Sequence, residues 1–181
     1  MSVDHPRRLG DRAEAEVLEL LPWLRYVSDE TAPHWDAVAH QSLGPVQEGQ
    51  PVEIKSAVAE LASGKAGRFY LRRPQHLALL EADGWYLFVS CAPTRDRDVL
   101  AWRFVRLRTV DADLIHGWWD GGPDRTDYRQ LPMSALFLES ELDYPDHQRV
   151  GPDTGQDPPP KWVIDDLPFH VDDYADGGNT G

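Results

Sequence analysis

The chain has 181 residues, a length typical of one domain with an additional segment. Its 31 acidic residues outnumber 18 basic ones, and the formal net charge of −13 disfavours a basic protein that coats DNA irrespective of its sequence, although it leaves room for a local basic groove. The single cysteine, Cys91, excludes an internal disulfide, and no cysteine and histidine framework for zinc is present.

The N-terminal region carries Arg7-Arg8 without a following apolar stretch, and no later run approaches the length of a membrane span. We therefore expect a cytoplasmic protein that is neither exported nor membrane-spanning. Of the acidic residues 21 are aspartates, and of the basic ones only 3 are lysines. This composition favours a halophilic protein, because short, hydrated carboxylates keep a chain soluble in concentrated salt. An ordinary acidic protein from a GC-rich genome is the alternative.

Hydrophobic periodicity predicts a mixed α/β fold over residues 1–142. The first helix, 10–21, has its apolar residues at helical spacing and ends at Pro22. Three short strands of a meander follow at 24–28, 35–40 and 51–57. After a Gly/Ser/Lys loop, the remaining predicted elements are a strand at 69–71, a helix at 74–82, strands at 85–91 and 99–107, and a short helix at 111–119. This order predicts a mixed central β-sheet flanked by helices.

Residues 143–181 differ in composition from the rest of the chain. They are rich in Pro, Gly and Asp, carry a net charge of −7 and include the run 158–160 of three prolines. Such a segment is too polar to offset its ordering entropy, which predicts an acidic, largely disordered tail. A short apolar island at 162–169 could dock on the domain or on a partner.

The third predicted strand contains the chemically most informative pattern, Val52-Glu53-Ile54-Lys55. Because strand side chains alternate, Glu53 and Lys55 share one face while Val52 and Ile54 turn to the core. Asp36 stands 17 residues earlier, at the mouth of the preceding strand. A hairpin between the two strands is expected to bring Asp36 beside Glu53.

A further acidic residue, Glu14, lies near the edge of the buried face of the first helix, where Glu16 is an alternative. Two or three carboxylates converging beside a lysine suit a hard divalent ion, Mg²⁺ with Mn²⁺ as a substitute, because such ions prefer oxygen ligands. The lysine would orient or deprotonate an attacking water, or neutralise charge on a phosphate. The pattern therefore predicts phosphodiester hydrolysis.

These residues resemble the PD-(D/E)XK nuclease superfamily, most of all its archaeal Holliday-junction-resolvase-like and Mrr-like branches. The likeness covers residues 10–91. It is carried by Gly-x-x-Ala-Glu on the first helix, Trp-Asp-Ala-Val-Ala on the second strand, Val-Glu-Ile-Lys-Ser on the third, Gly-Arg-Phe-Tyr-Leu at 67–71, the helix that bears Gln75, and Trp-Tyr-Leu-Phe-Val at 85–89.

The resemblance implies a restriction-endonuclease-like core and a metal-dependent DNA endonuclease, either a branched-DNA resolvase or a restriction-type enzyme. It makes Asp36 and Glu53 metal ligands, joined by the backbone carbonyl of Ile54 and by Glu14. It makes Lys55 the catalytic lysine and Gln75 an additional polar catalytic residue. The expected partner is DNA, with a basic strip limited to Lys65, Arg68, Arg72 and Arg73, and many relatives form homodimers.

Three alternatives stay open at this point. Glu53 and Lys55 could form an ordinary solvent-facing pair, which would be worth well under about 1 kcal/mol. The chain could be a catalytically idle nuclease-fold module that binds nucleic acid or protein, or a small α/β interaction protein without divalent-ion binding. Trp118-Trp119 is explained best by core or interface packing, with base stacking as the alternative.

Overall fold

Eight strands form a six-stranded sheet and a separate two-stranded ribbon in the part of the chain that the structure describes. The computed structural model describes residues 6–27, 31, 34–42, 44–93, 98–137, 141–142 and 161–163. The elements are α1 (Pro6–Leu20), β1 (Leu24–Tyr26), β2 (Ala37–Ala39), β3 (Pro51–Val58), β4 (Arg68–Arg72), α2 (Arg73–Glu81), β5 (Trp85–Cys91), β6 (Val99–Arg106), α3 (Leu107–Thr109), β7 (Tyr128–Pro132) and β8 (Lys161–Val163).

The central sheet has the strand order β1-β2-β3-β5-β6-β8. The β3–β5 and β6–β8 pairs are parallel, whereas β1–β2, β2–β3 and β5–β6 are antiparallel. A parallel pair needs a long crossover, which β4 and α2 supply between β3 and β5. The predicted mixed sheet flanked by helices is thus confirmed.

Both faces of the central sheet are covered by apolar side chains. On one face, Val52 and Ile54 of β3 pack with Ala13 and Val17 of α1. On the other face, the ribbon formed by β4 and β7 and the helix α2 bury a second cluster with residues of β5 and β6. β3 therefore lies between two cores, so side chains on either of its faces are shielded from water.

The predicted helix at 111–119 is wrong in position. Helical structure begins at Leu107, immediately after β6, and continues through a π-helical turn, Val110–Leu114, in which the amide of Ile115 bonds the carbonyl of Val110 at 3.0 Å. Leu107 and Val110 are buried, so the helical register follows these apolar residues rather than the downstream Gly-Gly signal. Trp119, expected in the helix, instead forms a β-bridge with Tyr128.

Two strands were not expected from the sequence. β7 has the sequence Tyr-Arg-Gln-Leu-Pro, which lacks a clear apolar alternation and ends in proline. β8 lies within the predicted tail and pairs with Arg103–Val105 of β6, so the start of the apolar island contacts the domain. The other residues of 143–181 lie outside the described residues.

Gly67 offers a test of how closely β4 must approach β3. Gly67 is buried, its amide bonds the carbonyl of Ala59, and a Cβ at this position would overlap the backbone carbonyl of Val58. Gly67→Ala should therefore lower the free energy of unfolding by about 1–3 kcal/mol, measured by urea denaturation. Ser63→Ala, in the exposed preceding loop, should change it by less than about 0.5 kcal/mol. Equal stability of the two variants would contradict the tight approach.

Candidate active site

Asp36 lies where β2 separates from β3. The two strands pair only through Ala37 with Val52 and Val38 with Pro51, and the amide of Asp36 donates to the carbonyl of Val52 at 3.1 Å. The Asp36 carboxylate then accepts a hydrogen bond from the amide of Ile54, with Oδ2 at 2.8 Å from the nitrogen. The side chain thus takes the place of a strand neighbour and is held against β3.

Ile54 contributes its backbone to the same place. The amide and carbonyl of one strand residue point to the same edge of the strand. Since the amide of Ile54 points to Asp36, its carbonyl oxygen is directed to the side where β2 has already diverged. This geometry agrees with the carbonyl role that the resemblance gives to Ile54.

Glu53 and Lys55 form a buried ion pair rather than a solvent-facing one. Nζ of Lys55 lies 2.6 Å from Oε1 of Glu53, and their side chains are 17% and 4% exposed, respectively. Oε1 of Gln75, from the first turn of α2, lies 3.4 Å from the same Nζ. The fold therefore brings Asp36, Glu53, Lys55 and Gln75 together, and the exposed-pair alternative does not describe this site.

The two carboxylate oxygens of Glu53 differ in their hydrogen bonding. Oε2 is buried and has no hydrogen-bond donor in the part of the chain that the structure describes. Burial raises the pKa of the Glu53 carboxyl to about 7; the ammonium of Lys55 opposes this shift, and the nearby carboxylate of Asp36 adds to it. Two carboxylates thus share a poorly hydrated place with one ammonium, an arrangement that an additional cation would stabilise.

The donor set fits a hard divalent cation. Carboxylate oxygens from Asp36 and Glu53, with the carbonyl of Ile54, are the ligands that Mg²⁺ and Mn²⁺ prefer, and such ions retain several waters. The undonated Oε2 of Glu53 is the observation that supports this fit. Within the described residues, no three His, Cys, Asp or Glu side chains form a group that could hold a metal, so a third acidic ligand is not preassembled.

Glu14 approaches from a different direction. It is half-buried on α1, and α1 packs on the face of β3 that carries Val52 and Ile54, opposite to Glu53 and Lys55. The role of Glu14 as a site acid therefore stays a prediction. Oε1 of Glu16 accepts a 3.4 Å hydrogen bond from the amide of Val99. The carboxylate of Glu16, the alternative to Glu14, is therefore bound to the start of β6.

The basic residues expected to contact DNA lie on the side of the ribbon. Lys65 is exposed in the loop before β4, and Arg68 and Arg72 are exposed on β4. Arg73, at the start of α2, forms an exposed 3.1 Å ion pair with Asp127, which offsets its charge. Among the described residues near α2, the exposed guanidinium groups that form no ion pair with another described residue are therefore those of Arg68 and Arg72 on β4.

A polar network around the buried His76 lies next to the site and was not predicted from the sequence. Nε2 of His76 lies 2.8 Å from Oδ1 of Asp111, and Nδ1 lies 3.0 Å from the hydroxyl of Tyr86. Burial lowers the pKa of His76, so the neutral ring donates to the Asp111 carboxylate and accepts from Tyr86. Tyr86 pairs with Glu53 in the parallel ladder. In the sequence, only the position of His76 next to Gln75 could have indicated this network. The pairing of Tyr86 with Glu53 is not visible in the sequence.

The raised pKa of Glu53 predicts a specific pH dependence of stability without metal. The folded chain binds this proton up to about pH 7, whereas the unfolded carboxyl loses it near its ordinary value of 4.5. Stability should therefore fall as the pH rises from about 4.5 to about 7, by on the order of 3 kcal/mol at most.

The measurement is urea denaturation in EDTA at several pH values, with Glu53→Gln as the reference because it removes this titratable group and keeps a side chain of similar size. The wild type should lose stability relative to the variant across that window. Parallel curves for the two proteins would show that Glu53 does not carry the proton.

Comparison with known proteins agrees with this geometry. The family model of the PD-(D/E)XK nuclease superfamily domain matches residues 1–138. No curated protein and no solved structure matches the chain. The matched segment includes every described helix and strand except β8. The chain therefore belongs to the PD-(D/E)XK nuclease superfamily.

Proposed function

We propose that the chain is a divalent-metal-dependent DNA endonuclease that hydrolyses phosphodiester bonds, of the branched-DNA resolvase or restriction type. The observation that carries this proposal is the group of Asp36, Glu53 and Lys55, in which Glu53 is buried and one of its oxygens has no donor among the described residues. Superfamily membership supports the nuclease chemistry. Nuclease chemistry implies a nucleic-acid substrate, and the carboxylate ligands imply a divalent metal.

Each side chain of the site has a distinct task. A bound Mg²⁺ or Mn²⁺ would supply positive charge to the scissile phosphate and acidify a water molecule. Asp36 and Glu53 would hold that cation with the carbonyl of Ile54. Glu53 would release its proton as the cation binds, because the cation stabilises the ionised carboxylate.

Lys55 would act on the reacting atoms directly. Its Nζ is fixed between carboxylate and amide oxygens of Glu53 and Gln75, which use two of its three donors. The remaining donor can hold an attacking water or a phosphate oxygen, where developing negative charge is stabilised. Its side chain is less buried than that of Glu53, consistent with access to substrate.

Metal binding should be visible in thermal stability. Two neighbouring carboxylates repel one another without a cation, so Mg²⁺ or Mn²⁺ should raise the Tm of the wild type by an amount that grows with metal concentration. Asp36→Asn or Glu53→Gln should abolish most of that gain. Matched substitutions of exposed acids, Asp113→Asn and Glu60→Gln, should preserve it. An undiminished metal response in both site variants would refute the assignment.

Lys55 tests whether the site is catalytic. Lys55→Ala should lower the cleavage rate by on the order of 10²-fold while metal and DNA binding persist. Lys55→Arg should rescue little, because a guanidinium is broader and cannot occupy the same point.

Cleavage should be assayed on linear, nicked and four-way-branched DNA, with Mg²⁺ and with Mn²⁺, at low and at molar salt. A Lys55→Ala protein that cuts all three substrates like the wild type would mean that the lysine is only structural. Absence of cleavage by the wild type under every condition would favour the idle binding module.

A further inference from the structure

The outward face of the β4–β7 ribbon carries exposed aromatic rings. Tyr70 on β4 is 41% exposed and stacks on Tyr128 of β7, with ring centroids 5.0 Å apart and an interplanar angle of 17°. One face of the Tyr70 ring is therefore occupied by Tyr128. Its high exposure leaves the remaining ring surface accessible.

Trp119 extends this group by one more ring. Trp119 and Tyr128 exchange two backbone hydrogen bonds of 2.9 and 3.0 Å, which places their side chains on the same face. Their rings meet edge to face at 5.5 Å, and the guanidinium of Arg129 lies over the Trp119 ring at 4.7 Å. Trp119 is still 39% exposed. We call Tyr70, Tyr128 and Trp119 the aromatic face.

The fold does not need these rings for its core. The inward side chains of the ribbon, Phe69 and Leu71 on β4 and Leu131 on β7, form the buried cluster beneath it. The alternation of the strands then directs Tyr70 to the opposite side. Exposed aromatic groups of this kind that do not serve a core mark interaction sites.

The charges beside the aromatic face favour a polyanion. Arg72 stands opposite Tyr128 in the ribbon register, and Arg68 lies two residues from Tyr70 on the same outward face of β4. Of the three acidic residues between Trp119 and Tyr128, Asp127 pairs with Arg73 and Asp120 accepts a hydrogen bond from the amide of Gly122, while Asp124 is exposed next to the exposed Arg125. Flat rings with flanking guanidinium groups match bases with flanking phosphates.

The ribbon is connected in sequence to the candidate active site. Arg72 ends β4, and α2 begins at the next residue. Gln75, in the first turn of α2, reaches Nζ of Lys55.

We propose that the aromatic face stacks the unpaired bases of a nucleic-acid strand, so that the substrate contains a single-stranded segment. This inference rests on the proposed nuclease function and narrows its substrate class. Bases in a closed duplex are stacked on each other and cannot cover the rings. Arg68 and Arg72 contact the backbone of the same strand.

Equilibrium binding of labelled oligonucleotides by the full chain tests this proposal without requiring cleavage. The probes are a 15-nucleotide oligo(dT), an oligo(U) of equal length and a 15-base-pair duplex, each in EDTA. Tyr70→Ala and Trp119→Ala should each weaken binding of the single strands by about tenfold and leave duplex binding within about twofold. Tyr70→Phe keeps the ring and should bind like the wild type. Comparison of the affinities for oligo(U) and oligo(dT) shows whether the aromatic face prefers RNA or DNA.

A matched control is available in Tyr26, which is 57% exposed on the edge strand β1. Tyr26→Ala should leave binding of all probes unchanged, and circular dichroism should show that every variant is folded. Equal weakening of single-stranded and duplex binding would overturn base stacking in favour of backbone contacts. Unchanged binding in both aromatic variants would also overturn the proposal and leave the face to a protein partner.

The outcomes separate this proposal from the nuclease assignment. If single-strand preference depends on Tyr70 and Trp119 but no condition supports cleavage, the aromatic face stands and the catalytic function fails. If cleavage depends on Lys55 but Tyr70→Ala and Trp119→Ala bind and cut single-stranded and duplex DNA like the wild type, the nuclease function stands and the aromatic face fails.

Discussion

The burial of Glu53 beside Asp36, with only Lys55 to compensate, is the constraint on which the rest of the structure depends. A buried carboxylate is costly unless it is paired, and Glu53 has one oxygen on the ammonium of Lys55 and another without a donor. Burial and the second carboxylate raise its pKa to about 7. The site is therefore incomplete as a set of protein groups, and the proposed divalent cation would supply the missing positive charge.

The sheet topology creates this condition in two steps. β2 pairs with β3 over two residue pairs only and then diverges, so the side chain of Asp36 bonds the free amide of Ile54. The ribbon and α2 then cover the face of β3 that bears Glu53 and Lys55. The same ribbon presents its aromatic residues outward, next to the helix that carries Gln75. Shielding of the carboxylates and the proposed nucleic-acid surface are thus on opposite faces of one element.

The sequence predicts the part of the site that depends on local geometry. Strand alternation places Glu53 with Lys55, and a hairpin places Asp36 next to them. The burial of this face could not be predicted, because it depends on how β4 and α2 fold over β3, and strand or helix periodicity does not show that packing. The position of Glu14 relative to the other acids could not be predicted either. Periodicity shows which helix face is buried but not which face of the sheet the helix covers.

Proton release on metal binding tests the central claim most directly. Calorimetric titration of the full chain with Mg²⁺ or Mn²⁺, in buffers of different ionisation enthalpy, measures the protons released per ion. If the ion displaces the proton of Glu53, release should approach one proton at about pH 6, fall to near zero at about pH 8.5, and be absent in Glu53→Gln at both pH values. Binding without proton release at about pH 6, or release that persists in Glu53→Gln, would contradict the account.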